Sequence, residues 1–143
     1  MRLHLPTDAS PALDPIGDLL QQSKIIAVVG LSSHPYRPSY EVSSYLQSVG
    51  YKIIPVNPNE SEVLGEKSYP CLEDIPVPVD IVDVFRRSEH VPPIADSAIR
   101  IRAKSLWLQQ GIENSTAAEK ACAAGLLVIE DACLLIEHKQ RRR

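Results

Sequence analysis

The segment Ile25-Ile26-Ala27-Val28-Val29 is apolar without interruption and stops at Gly30. A strand with one wet face alternates apolar and polar side chains. A continuous run predicts a strand buried on both faces, as in a parallel sheet. Such a strand needs helices above and below it, so this one segment narrows the chain to a layered α/β architecture. Four further runs carry the same message, at residues 51–56 (with Pro55 near the end), 80–85, 104–108 and 126–129.

Helical patterns lie between the runs. Asp14-Pro15 reads as a helix start, with Asp14 as cap, Pro15 in the first turn and Ile16, Leu19 and Leu20 on one face. Pro38 suits the first turn of another helix. There Val42, Tyr45, Leu46 and Val49 follow helical spacing and Gly50 stops it. Pro92-Pro93 opens a third, with Ile94, Ala95, Ala98 and Ile99 as its apolar face. Thr116 and Glu119 have capping-box spacing and start a fourth, with Ala118, Ala121, Cys122 and Gly125 on one side. Residues 57–78 show little periodicity beyond the turn Asn57-Pro58-Asn59 and one helical turn near 72–75. Strands and helices alternating at this rhythm predict right-handed βαβ units. The expected fold is a Rossmann-like three-layer sandwich with a five-stranded, mostly parallel sheet. Residues 1–12 read as a flexible N-terminus, 13–138 as a single domain and 139–143 as a basic, solvated tail.

The chain of 143 residues is long enough to bury a core without staples. Its net charge of −3 argues against broad nucleic-acid binding. No apolar run approaches the ~20 residues of a membrane helix, and the N-terminus lacks the apolar centre of a secretory signal. The three cysteines, Cys71, Cys122 and Cys133, have no metal-type spacing, and the four histidines are scattered. A cytoplasmic protein with free thiols, no metal, and no membrane or nucleic-acid partner is expected.

The first strand-to-helix turn carries most of the chemistry. In a parallel α/β sheet, ligands sit beyond the carboxyl ends of the strands, beside this turn. Gly30 admits close approach to the backbone. The helix N-terminus after Pro38 offers N–H groups and a positive dipole end to a phosphate. Ser32, Ser33 and Ser39 add hydroxyls, and Arg37 adds a two-pronged cation. The GxGxxG dinucleotide fingerprint is absent. The second strand ends in Pro55-Val56-Asn57-Pro58, without the acidic residue that would hold a ribose of NAD. Asn57 either meets an adenosine or simply makes the turn. The third strand ends in Phe85-Arg86-Arg87, where Phe85 either covers a ligand or packs in the core and Arg86 reaches toward a phosphate. The fourth ends in Gln109-Gln110-Gly111, an amide followed by a point of close approach. Cys133 follows the fifth strand. Asp83, inside the third strand, reads as a structural hydrogen-bonding group. No nucleophile-base pair emerges.

At these residues the chain resembles the CoA-binding domain family. That family includes small stand-alone proteins and the N-terminal nucleotide-binding half of the succinyl-CoA ligase α subunit. The matching pieces are IAVVGLSSHPYRPSY, GYKIIPVNPNESEVLGEKSYPCLEDIP, VDIVDVFRRSEHVPPIADSAI, KSLWLQQGI and GLLVIEDACLLIE, in family order from Lys24 to Glu137. The resemblance implies coenzyme A as the cofactor. Gly30, Ser32, Arg37, Ser39 and Tyr40 would lie along its diphosphate, and Asn57 and Pro58 near the adenosine. Phe85 and Arg86 would cover the middle, with Gln109 and Gly111 on the far rim. Cys133 and Glu137 match the closing motif, but Ala132 stands where relatives often carry arginine. A binding module for a small nucleotide ligand is the leading expectation. The competing reading is an enzyme, either NAD(P)-linked or one component of an acyl-CoA ligase.

Overall fold

The uninterrupted apolar run becomes an inner strand in the computed structural model, which describes residues 1–7 and 12–142. In chain order the strands are β1 (Arg2–His4), β2 (Ile25–Val29), β3 (Lys52–Val56), β4 (Glu62–Val63), β5 (Glu66–Lys67), β6 (Ile81–Val84), β7 (Ser105–Leu108) and β8 (Leu127–Glu130). The helices are α1 (Pro15–Gln22), α2 (Pro38–Ser48), α3 (Val91–Arg100), α4 (Ser115–Ala123) and α5 (Leu134–Arg141). Six strands form the central sheet in the order β1-β8-β7-β6-β2-β3. All its neighbours pair in parallel except β1, which runs antiparallel to β8.

Alternation along the strands sorts the core into two layers. Ala27, Val29, Val82, Val84, Leu106 and Leu108 meet Val91, Ala95 and Ala98 of α3 and Ala117, Ala118 and Ala121 of α4. On the opposite face, Ile26, Val28, Ile53, Ile81, Trp107 and Ile129 meet Ile16 and Leu20 of α1, Val42 and Leu46 of α2 and Leu134 of α5. Small alanines on α3 and α4 let those helices lie close to the sheet, while the second layer is filled by larger side chains. Trp107 is fully buried, and its indole N–H donates to the Ala132 carbonyl at 2.9 Å. A buried indole needs such a partner. Here the bond also pins the chain just before Cys133.

Several elements depart from expectation. The sheet has six strands rather than five, because Arg2–His4, within the segment read as irregular, adds an edge strand. The rest of that segment, residues 8–11, lies outside the described residues. The cap of α4 is Asn114, whose side chain accepts from the Ala117 N–H at 3.0 Å, and not the Thr116/Glu119 pair. Asp14 precedes α1 but makes no capping bond. Its carboxylate instead accepts from Arg141 at 2.8 and 3.0 Å, and that guanidinium holds the Asp14 carboxyl below the usual carboxylate range. The basic end therefore does not fray at once: Lys139–Arg141 completes α5, and Arg143 lies outside the described residues. The loop after β3 holds a hairpin, β4–β5, turning through Leu64 and Gly65 at φ 56° and 77°. Two successive positive φ values define the tight hairpin turn, and Leu-Gly is a poor sequence signal for it.

Glu130 explains why the sixth strand stays. Its carboxylate is 1% exposed and accepts from His4 Nε2 at 2.7 Å and from the Asn114 N–H at 2.8 Å. It thus ties β1 to β8 and holds the residue that caps α4. Glu130→Ala leaves those donors without an acceptor and is expected to cost about 1–3 kcal/mol of stability. Urea denaturation measures this, and an unchanged midpoint would refute the role.

Candidate functional site

The chain direction across the sheet reverses at β2: β3 lies on one side of it and β6 on the other. The turns leaving β2 and β6 therefore diverge and open a crevice at the carboxyl edge. Gly30 forms the floor of that crevice. Its φ is +88°, and a Cβ placed there would lie 2.6 Å from the Phe85 carbonyl oxygen. Only glycine allows the β2 and β6 exits to come this close. The Gly30 N–H donates to Val56 and the Phe85 N–H to Val29, both at 2.9 Å, so the three strand ends are laced together.

The loop from Gly30 to α2 is held by its own hydroxyls. Ser39 Oγ accepts from the Ser32 N–H, and Ser32 Oγ accepts from the His34 N–H, both at 3.1 Å. Each hydroxyl keeps its own hydrogen to donate. The Ser33 N–H donates to Glu60 Oε2 at 2.6 Å, and hydrogen bonding by Ser33, its side chain first and its N–H second, lowers the Glu60 carboxyl from its ordinary range. Asn57 is held at both ends of its amide: Nδ2 donates to the Leu31 carbonyl at 3.0 Å, and Oδ1 accepts from the Asn59 N–H at 2.9 Å. It braces the turn after β3 against the loop after β2. Pro38 opens α2, and no side chain caps that N-terminus.

Two cavities meet at Gly30 and Arg86. The first, of about 840 Å³, is lined by Gly30, Ser32, Arg37, Pro38, Ser39, Phe85, Arg86, Gln109, Gly111 and Cys133. The second, of about 610 Å³, is lined by Asn57 and Pro58 together with Gly30 and Arg86. Two expected residues line neither cavity. Ser33 is exposed and takes part through its backbone, and Tyr40 packs against the apolar layer over β2. Sequence reasoning missed Val42, Ser88 and Ile112 in the first cavity and Pro70, Cys71, Ile94 and Ser97 in the second. These come from helix turns and a loop that only the folded chain brings to the strand ends, and no local signal marks them.

The first cavity is electropositive. Arg37, Arg86 and Arg87 all border it. Arg87 makes one long contact of 3.9 Å with Glu89, whereas Arg37 and Arg86 enter no ion pair among the described residues. The Arg37 guanidinium lies 5.8 Å from the Tyr36 ring centre. Beneath the cavity, Asp83 sits in β6 between Val28 and Trp107, with no exposed surface. Its Oδ1 accepts from Gln109 Nε2 at 2.6 Å, and its Oδ2 has no partner. Burial pushes this carboxyl up to about 7, against the smaller opposing effect of the Gln109 bond.

The CoA-binding domain model matches residues 24–139. The chain belongs to the CoA-binding domain family. It is 45% identical over 129 residues to an uncharacterized Bacillus subtilis protein, YneT, covering 90% of this chain and 96% of that one. The structure of a hypothetical protein from Pyrococcus horikoshii superposes with a TM-score of 0.85 at 35% identity, covering 94% of this chain and 98% of that one. An ADP-forming acetate–CoA ligase of Archaeoglobus fulgidus is 36% identical over 73 residues, which is 50% of this chain but 11% of the ligase. The domain is thus related to a component of CoA ligases, and its fold is that of CoA-binding Rossmann-like proteins. Among the described residues, no helix is long and apolar enough to cross a membrane.

Asp83 gives the domain a pH signature. An unfolded aspartate ionises near 4, whereas in the fold this one ionises at about 7. Between those values the unfolded chain binds fewer protons than the native chain, so this group lowers stability as pH rises from about 4 to about 7. Asp83→Asn removes that slope. The variant is expected to gain on the parent between pH 5 and 8 in urea denaturation, and parallel curves would show that Asp83 titrates normally.

Proposed function

We propose that this chain binds coenzyme A, with the diphosphate at the β2–α2 turn and one arm of the ligand in each cavity. The observation that carries this reading is the two-lobed crevice centred on Gly30 and Arg86. A ligand with a charged middle and two long arms matches that form. The centre supplies what a diphosphate needs: close backbone approach at Gly30, the open N-terminus of α2, the Ser32 and Ser39 hydroxyls, and the Arg37 and Arg86 guanidinium groups. The second lobe, with Asn57 and Pro58, takes the adenosine. The first, bordered by Phe85, Gln109, Gly111 and Cys133, takes the pantetheine arm. Family membership supports the choice of coenzyme A over a dinucleotide such as NAD, as does the absence of an acidic residue at the end of β3. On this reading the chain acts as a binding module.

A ligand that binds the native state alone raises its melting temperature. Coenzyme A is expected to raise it more than NAD, NADP or FMN at equal concentration. Equal stabilisation by NAD would overturn the assignment. Within the site, Arg37→Ala is expected to weaken coenzyme A binding by about 1.5–3 kcal/mol, the scale of a charge-assisted hydrogen bond, with little effect on folding. Calorimetric titration reads the loss, and unchanged affinity would make Arg37 a bystander.

A further inference from the structure

We propose that Asp83 is a positioning residue: its buried carboxylate turns the Gln109 amide so that the carbonyl Oε1 faces the crevice, where it selects an amide N–H on the bound arm of the ligand. This rests on reading the crevice as a coenzyme A site. The geometry starts from what an ionised carboxylate can do. It only accepts hydrogen bonds, so it takes the NH2 end of Gln109, as the 2.6 Å contact between Oδ1 and Nε2 records. The carbonyl end must then point the other way. Gln109 Oε1 accepts no hydrogen bond from the described residues. It is also not sealed: the buried side-chain oxygens or nitrogens without a partner, among the described residues, are Ser23 Oγ, Ser43 Oγ and Asp83 Oδ2. Gln109 is 4% exposed and lines the first cavity, so that small opening is the cavity.

An acceptor fixed at this point repels ligand acceptors and rewards donors. The phosphates of coenzyme A carry none at neutral pH, whereas the pantetheine arm carries two secondary amide N–H groups. Gln109 therefore reads the arm rather than the charged middle. Neither oxygen nor nitrogen of Gln109 can change ends unless Asp83 changes its proton. A protonated Asp83 donates its O–H, the Gln109 carbonyl turns down to accept it, and the NH2 turns up to face the ligand's N–H. The Asp83 carboxyl ionises at about 7, within reach of ordinary buffers. Among the described residues the buried carboxylates are Asp83 and Glu130, and Glu130 is bonded to His4 and Asn114. Val28 and Trp107 flank Asp83 in the sheet. The helices over that face present Ile16, Leu20, Val42, Leu46 and Leu134, with Tyr40, Tyr45, Tyr51 and Cys133 packed against the layer. At its far edge α5 adds His138, whose ring meets the Tyr45 hydroxyl at 2.7 Å and the Tyr51 ring, and the Glu137–Arg141 pair, and Asp83→Asn leaves all of these in place. Arg37, Arg86 and Arg87 border the crevice above it.

Two measurements test this on the full chain. In the ligand-free protein, the side-chain amide signals of Gln109 in 1H–15N spectra are expected to move between pH 6 and 8, and to stay still in Asp83→Asn. Static parent signals overturn the positioning role, whatever the ligand is. The second measurement is calorimetric titration with coenzyme A, acetyl-CoA and 3′-phosphoadenosine 5′-diphosphate, which lacks the arm. From pH 8 to pH 6, both arm-bearing ligands are expected to lose about tenfold more affinity for the parent than for Asp83→Asn, the scale of one net hydrogen bond, whereas the armless one loses equally against the two. The armless ligand ends in a phosphate monoester that ionises in this range, unlike the diester of coenzyme A, but the phosphates of each ligand titrate alike against both proteins and cancel in the comparison of parent with variant. Equal losses in parent and variant for the arm-bearing ligands, or the same excess loss for the armless one, overturn the proposal. An excess confined to coenzyme A would mean that the thiol, and not an amide, is the donor read. If none of the three binds the parent at pH 8, it is the coenzyme A reading that fails, and the spectral test still judges the Asp83–Gln109 pair.

Discussion

Residue 30 has no room for a side chain, and much of the site depends on that. A Cβ there would sit 2.6 Å from the Phe85 carbonyl oxygen, so the exits of β2 and β6 approach one another over bare backbone. Because the exits are close, Phe85 and Arg86 stand beside the β2–α2 turn instead of across a gap. Because Gly30 is also left-handed, the chain turns sharply up toward Pro38 and delivers the N-terminus of α2 to the same point. The two cavities share Gly30 and Arg86 for this reason. A bulkier residue would push the strands apart and separate the diphosphate position from both arms.

Buried polar groups divide the remaining work between stability and function. Glu130 is sealed and satisfied, with two donors, and it fastens an edge strand and a helix cap. Trp107 is sealed and satisfied, and it fixes the backbone ahead of Cys133. Asp83 is sealed but only half satisfied, since Oδ2 has no partner. A half-satisfied carboxylate in an apolar layer weakens the fold when charged. Its one bond reaches a cavity-lining amide, which is where a stability cost of this kind has a functional return.

Much of the architecture was legible in the chain. Five predominantly apolar runs became five parallel strands, since a strand buried on both faces shows no regular polar alternation. Pro38, Gly50 and the Pro92-Pro93 pair marked helix ends correctly, because proline and glycine act through their own backbone limits. The misses have a common cause. β1 is three residues long and is held by Glu130, far away in sequence. Arg141 joins Asp14 across 127 positions. Asn114 caps α4 in place of the Thr116/Glu119 pair, and its own backbone N–H is placed by Glu130.

By itself the sequence determined the layered α/β class, the order of the five parallel strands and of α1 to α4, the glycine floor and the concentration of serines and arginine at the first βα turn. These follow from local periodicity and from residue types whose conformational limits are intrinsic. Tertiary structure alone decided that Ser33 and Tyr40 stay out of the cavities, that Asn57 spends its amide bracing a loop, and that Val42, Ile112, Ile94 and Ser97 line the walls. It alone joined Asp83 to Gln109, residues 26 apart in the chain. Distances between strand ends arise from sheet twist, crossover and packing, and no local pattern encodes them.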